Sequence, residues 1–287
     1  MEGTPESSKM VFDVYVYNAP IERPYVKAFI NCINVKSNCA VLLLTTYGGS
    51  PDEAYWLAKS LQDTYESFEL WVVDKCKSAG SLVALGAHSI AMGPIGELGP
   101  LDLQLPRTPE VGKNNSVLDV ANALSTIRQQ TYIAFDQYLA SLVGAKLETE
   151  TAGKLASSMA VGLFSELVKQ LDPISIGEVD RSISIAVKYA EKLNAKFANL
   201  KPFALKALLT GYPSHGFVVD ANDVVGLFHR VRMLDQADIS FLLSHEGLMV
   251  YDPLFQNGQM YICKLERQFE KVQHITEKHD KVVSINK

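Results

Sequence analysis

A chain of 287 residues, 47% hydrophobic and 21% charged, is long enough to bury a full core and has the composition of an ordinary globular protein. Its formal net charge is -5 and its 27 Lys and Arg are scattered rather than massed, which argues against nucleic acid as a partner. Cys32, Cys39, Cys76 and Cys263 show neither a Cys-x-x-Cys pair nor the Cys/His spacing of a zinc site, so the expectation is reduced core thiols, no metal and a cytoplasmic setting.

The first ten residues carry acidic side chains and no apolar block, and read as a frayed start rather than a secretory signal. Val11 to Tyr17 alternates like a half-buried strand, and Cys39 to Thr46 is the continuous apolar run of a buried parallel strand. Phe68 to Asp74 and Ser89 to Gly93 repeat that pattern, with helices expected between at Arg23 to Val35, Pro51 to Tyr65 and Ala79 to Ala87. Such βαβ alternation predicts a mostly parallel sheet with right-handed crossovers, whose ligands bind beyond the carboxyl ends of the strands. The uncharged stretch from Ser78 to Gly96 is broken by Gly80, Gly86, Gly93, Pro94 and Gly96, so no membrane span is expected there.

From Gly93 to Ser116 four prolines and no sustained period predict an irregular loop. Helices are expected over Val117 to Val143, Glu148 to Gln170 and Gly177 to Leu193, with Leu171 to Arg181 as punctuation and Gly211 to Asp220 extended. Short strands at Leu248 to Tyr251 and Met260 to Lys264 precede a charged tail. One domain over residues 9–234 and a C-terminal extension over 235–287 are the expected division.

Two turns lie where a parallel sheet puts its chemistry. Gly48-Gly49 separates a buried strand from a helix opened by Ser50, Pro51, Asp52 and Glu53; a tight turn explains the pair, and so does a backbone N–H aimed at a developing oxyanion. Ser78 stands at the next strand-to-helix junction. Its hydroxyl can serve as a plain helix N-cap or as a nucleophile in the positive potential of the helix start, with the Ala79 N–H as a second oxyanion donor.

YGGSPDEA, KSAGSLVALGAHSIAMGPIGELGPLD, LDPISIGEVDR and GYPSHGFVVD, in that order between Val14 and Val231, together resemble the serine dehydrogenase proteinase family, related to signal peptide peptidase A and the Clp protease proteolytic subunit. The resemblance implies a ClpP/crotonase-like α/β fold of stacked βαβ units with a helix-rich C-terminal half. It matches Ser78-Ala79-Gly80 to the nucleophile pattern Ser-Gly-Gly, Gly49 to the oxyanion-hole glycine, and Glu97-Leu98-Gly99-Pro100 to the segment that closes the site. The loop histidine of the Clp subunit has no counterpart in Leu101-Asp102-Leu103-Gln104, and the lysine used by signal peptide peptidases has Lys113 as its sole match in the comparable loop.

A serine hydroxyl needs a positioned base. His88, His229, His245, His274 and His279 read as structural or solvated, whereas His215 sits in Pro213-Ser214-His215-Gly216-Phe217 before the strand that follows the catalytic aspartate in the Clp subunit. His215 is therefore the first candidate base and Lys113 the second, with Asp220 or Asp102 as orienting groups. The function expected is an ATP-independent serine peptidase that cleaves peptide or protein substrates through an acyl-enzyme without cofactor. The resemblance also implies a homo-oligomer, and any unfoldase or activator would be a separate partner. A crotonase-type acyl-thioester enzyme and a catalytically inactive scaffold are the alternatives.

Overall fold

The computed structural model of the chain describes residues 9–101, 117–169, 173–244, 261–265 and 269–272. In chain order these form β1 (Lys9–Asn18), α1 (Arg23–Cys32), β2 (Cys39–Thr45), α2 (Pro51–Thr64), β3 (Ser67–Val72), β4 (Lys75–Cys76), α3 (Ala79–Leu85), β5 (Ser89–Met92) and β6 (Glu97–Leu98). The second half is α4 (Val117–Gly144), α5 (Thr149–Lys169), α6 (Pro173–Phe197), α7 (Ala204–Thr210), α8 (Ala221–Leu227), β7 (Val231–Met233), α9 (Gln236–Leu243), β8 (Tyr261–Lys264) and β9 (Phe269–Val272). The architecture is the mixed α/β one expected, with a parallel-rich sheet and a helix-rich second half.

The main sheet has the order β7-β5-β3-β2-β1-β8, with β9 also on β1; β8 and β9 run antiparallel to β1 and the other pairings are parallel. Its central strands are apolar on both faces because both faces are covered. Tyr15, Tyr17, Leu42, Leu44, Leu70 and Val72 are buried in the larger cluster with residues of α1, α2 and α3. Val14, Val16, Val41, Leu43, Trp71 and Ala91 are buried in a second cluster with Leu234 and Leu242.

Local chemistry sets the helix ends. Ser50 caps α2 by accepting from the Glu53 N–H, with Pro51 opening the helix and Asp52 and Glu53 in its positive first turn. α6 starts at Pro173, so the expected punctuation at Leu171 to Arg181 is already helical from its third residue. It packs on α2, where Tyr55 and Tyr189 stack with ring centroids 4.8 Å apart and Gln62 Nε2 donates to Leu193 O at 2.7 Å. α5 buries Ala152, Ala156 and Ala160, spaced i, i+4 and i+8, as it packs along α4.

A second, smaller sheet stands at the carboxyl end of β2. β4 pairs in parallel with β6, Thr46 bridges to Cys76, and Leu98 bridges to Val219. Gly211 to Asp220, expected as extended, has no regular structure apart from that Val219 bridge, and it is flanked by the two seven-residue helices α7 and α8. The expected strand at Leu248 to Tyr251 lies outside the described residues. Among the described residues no helix is long and apolar enough to cross a membrane.

Candidate active site

The chain leaves β2 at Thr45 and turns at once. Thr46 N donates to Lys75 O at 2.8 Å and Lys77 N donates to Thr46 O at 2.9 Å, which clamps the end of β2 to the segment that leads into α3. Gly48 and Gly49 follow with φ of 112° and 147°, values that L side chains rarely adopt. Gly48 N donates to Thr46 Oγ1 at 3.1 Å, while Gly48 O accepts from Ile21 N at 2.8 Å. Gly49 bridges Ile21, whose carbonyl accepts from Ser50 N at 2.8 Å. The Gly49 N–H has no acceptor among the described residues.

Ser78 lies against this turn. It connects β4 to α3 with φ 51° and ψ -113°, a conformation that costs an L residue energy and that recurs where a nucleophile is held on a sharp strand-to-helix bend. The residue is buried and occupies the N-cap position of α3, yet its side chain makes no capping bond. The first turn is closed by the backbone instead: Gly80 N donates to Lys77 O at 2.8 Å and Ser81 N to Ser78 O at 2.9 Å. The N-cap alternative for Ser78 is thereby set aside, and the Ala79 N–H, like that of Gly49, has no acceptor among the described residues.

Three neighbours fix the bend. A Cβ on Gly80 would stand 2.7 Å from Thr46 Cγ2 and 2.9 Å from Cys76 Sγ, so only glycine lets α3 start this close to β2 and β4. Ser81 Oγ lies 2.7 Å from Gly99 O and accepts from Gly99 N at 3.1 Å. Cys76 is fully buried, and burial pushes its thiol well above the ordinary cysteine value, so it supplies no thiolate at this turn.

Lys77 is the residue that sequence reasoning missed. Its side chain is only 9% exposed, and Nζ contacts Glu97 Oε2 at 3.1 Å, Leu98 O at 3.2 Å and Phe217 O at 3.2 Å. A lysine directly before Ser78 was the available signal, but its partners Glu97, Leu98 and Phe217 stand far downstream and no local pattern points to them.

His215 is half-buried in the loop that Lys77 touches. Two residues beyond it Phe217 packs its ring on Tyr212 with centroids 5.0 Å apart, and Val219 then exchanges two backbone hydrogen bonds with Leu98. The loop carrying His215 is thus held to β6 and to the residue preceding Ser78. Asp220, an expected orienting group, is instead the N-cap of α8, with Oδ1 accepting from Asn222 N at 2.8 Å and Asp223 N at 3.0 Å. Lys113, Asp102, His245, His274 and His279 lie outside the described residues.

The other two described histidines, His88 and His229, lie outside the loop that Lys77 touches. His88 N donates to Phe68 O at 2.9 Å and its ring meets Phe197 edge-on; burial, then the charge of Arg230, lowers its pKa. His229 N donates to Asn199 O at 2.8 Å.

No family model matches the chain and no curated protein matches it. Among solved structures it is similar to the 1510-N membrane-bound stomatin-specific protease in two forms. One is a lysine-to-alanine mutant in complex with a substrate peptide, at 21% identity and a TM-score of 0.31, covering 45% of this chain and 61% of that one. The other is a serine-to-alanine mutant, at 18% identity and a TM-score of 0.32, covering 78% of this chain and 98% of that one. These scores are low, and what Ser78 and its neighbours can do is decided by their own geometry.

Proposed function

We propose that the chain is a serine peptidase of the ClpP/crotonase-like class. The observation that carries this reading is the backbone of Ser78: a non-glycine residue at φ 51° on a strand-to-helix bend, beside two backbone N–H groups with no acceptor among the described residues, its hydroxyl not used as a helix cap. A strained serine with no capping duty is costly as architecture and useful as a nucleophile.

In this reading Ser78 Oγ attacks the carbonyl carbon of a peptide bond as its proton passes to the base, with His215 preferred to Lys113. The tetrahedral oxyanion accepts from Gly49 N–H and Ala79 N–H, while Gly48 shapes the turn with its own N–H bound to Thr46. Collapse breaks the C–N bond, the base returns its proton to the leaving amine, and water then releases the acyl group from Ser78 by the same route. No metal, nucleotide or other cofactor enters. The substrate is a peptide or protein, the working form a homo-oligomer in a reducing, cytoplasmic setting that suits the four free cysteines, and energy-driven unfolding would fall to a separate partner.

A fluorophosphonate probe tests the reading. Adduct at Ser78 by peptide mapping, abolished in Ser78→Ala, is the expected result; labelling that persists at another residue in Ser78→Ala overturns it.

A further inference from the structure

A lysine buried next to a nucleophile invites the thought of a base, but the surroundings of Lys77 argue for a different task. An ammonium group has three N–H bonds, and Lys77 Nζ has three acceptors within 3.2 Å: Glu97 Oε2, Leu98 O and Phe217 O. Those bonds reach two separate pieces of the site. Glu97 and Leu98 belong to β6, the segment whose next residue, Gly99, is so close that a Cβ there would stand 2.9 Å from Lys77 Cδ and 3.2 Å from Ser78 N. Phe217 belongs to the loop that carries His215. The Lys77 backbone, in turn, closes the first turn of α3 through its carbonyl.

Because Glu97 is only 14% exposed and Lys77 9%, the pair is desolvated, and its geometry is held far more rigidly than that of a surface ion pair. Truncating either partner leaves a charge in a poorly solvated place. The pair therefore acts as a joint that works only when all three segments are in register.

We infer that Lys77 is a positioning residue: its ammonium, paired with Glu97 and bonded to the Leu98 and Phe217 carbonyls, fixes the His215 loop against the Ser78 bend. The inference rests on the reading of Ser78 as nucleophile and His215 as base, and adds the element that would align them. Sequence separation hides the arrangement, since Phe217 contributes only its carbonyl and its side-chain identity carries no mark of the contact.

Two measurements on the full chain test it. The first is amide hydrogen exchange over residues 211–219 in Lys77→Met. There the Val219 N–H, bonded to Leu98 O in the wild type, is expected to exchange about tenfold faster or more, while amides of β2 and α2 keep wild-type protection. The second is the rate of Ser78 acylation by a fluorophosphonate in wild type, His215→Ala, Lys77→Met and the double variant. His215→Ala is expected to slow acylation on the order of a hundredfold, the effect of losing a general base, and to slow Lys77→Met no further, because the base is already out of place. A merely structural lysine would leave the factor for His215→Ala the same in both backgrounds.

Should Lys77→Met fail to fold, Lys77→Met/Glu97→Gln removes both charges at nearly constant volume and takes its place in both measurements. Wild-type exchange over 211–219 in the folded variant, or an undiminished His215→Ala factor within it, overturns the inference. A wild-type chain that the probe does not label counts against the Ser78 reading alone, since hydrogen exchange still decides whether Lys77 holds the loop.

Discussion

Gly48 and Ser78 face each other so closely that a Cβ on Gly48 would stand 2.8 Å from the Ser78 Cβ and 3.2 Å from its Oγ. The glycine is required twice over, by its φ of 112° and by the serine in front of it. Gly48→Ala is therefore expected to lower stability by about 1 to 3 kcal/mol through strain and crowding, and to slow Ser78 acylation more than the stability loss alone explains. Urea unfolding and probe kinetics on the same preparation check this. An alanine variant with wild-type acylation would mean that Ser78 moves freely away from the turn.

Gly49 cannot be tested by a side chain, because a Cβ there would stand 2.2 Å from Ile21 O and any substitution would break the bridge before it touched the chemistry. Replacing the Gly48–Gly49 amide by an ester removes the Gly49 N–H and weakens Gly48 O as the acceptor of the Ile21 N–H. With no acceptor for that N–H among the described residues, the fold should lose no more than about 1 kcal/mol through the weakened Ile21–Gly48 bond, while acylation slows by about 3 kcal/mol, more than a hundredfold, the effect of losing one oxyanion donor. An ester variant that acylates at the wild-type rate removes Gly49 from the oxyanion hole.

Ser78 carries its own strain. Since the hydroxyl does not cap α3 and φ is 51°, Ser78→Gly is expected to be more stable than Ser78→Ala by about 1 kcal/mol, although glycine is ordinarily the worse residue at a helix start than a capping serine. Both variants should be unlabelled by the probe. Equal midpoints in urea would show that the bend relaxes without cost.

How much of this was legible beforehand follows from the length scale of each feature. β2, β3 and β5 were readable because a strand buried on both faces writes a continuous apolar run, as Cys39–Thr45 does, whereas β1 was read from its alternation as half-buried and is buried over residues 13–18. β4 and β6 have two residues each and no period can mark them, although β4 leads into Lys77 and Ser78 and β6 holds Glu97. The short helices α7 and α8 went unread, unlike the equally short but wholly buried and largely apolar α3, because each leaves most of its residues at least partly exposed, and β9 was hidden by the charge of the tail it opens. At Ser78 a helix N-cap and a candidate nucleophile occupy the same place in the sequence, and the dihedral angles and the missing capping bond argue against the cap. Asp220 shows the converse: an aspartate with a plausible catalytic neighbour is the N-cap of the next helix.

Beyond the site, Arg232 binds Glu69 Oε2 at 2.5 Å and also pairs with the fully buried Asp238. Burial would raise the Glu69 pKa, but the hydrogen bond and charge of Arg232 outweigh it and hold the carboxyl below its ordinary value of 4.5. A depressed folded pKa contributes stability that is present above the unfolded value and lost as pH falls through the folded one. Arg232→Met leaves two carboxylates without their cation and is expected to cost about 3 kcal/mol at pH 7, the low end for a buried pair because Arg232 is 29% exposed. The gap to wild type should narrow on acidification, as protonation relieves the variant while it weakens the wild type. A gap that stays constant from neutral to acid pH would contradict the assignment of Glu69 as the depressed carboxyl.

The identity of the base is open to a kinetic test, because the two candidates must both be deprotonated to take the Ser78 proton and they lose their own protons in different ranges. An imidazole base makes the acylation rate rise around pH 6 to 7, whereas an amine base gives a later rise, at about pH 7 to 8 or above, depending on how far burial lowers it. The placement of the His215 loop against Lys77 favours the earlier rise, since that contact holds the loop beside the residue that precedes Ser78. Acylation rate against pH in wild type, His215→Ala and Lys113→Ala decides between them. The expected result is loss of the low-pH rise and most of the rate in His215→Ala, with Lys113→Ala close to wild type. If His215→Ala instead acylates with the wild-type profile while Lys113→Ala is silent, the base is the lysine, and the His215 loop serves only to close the site.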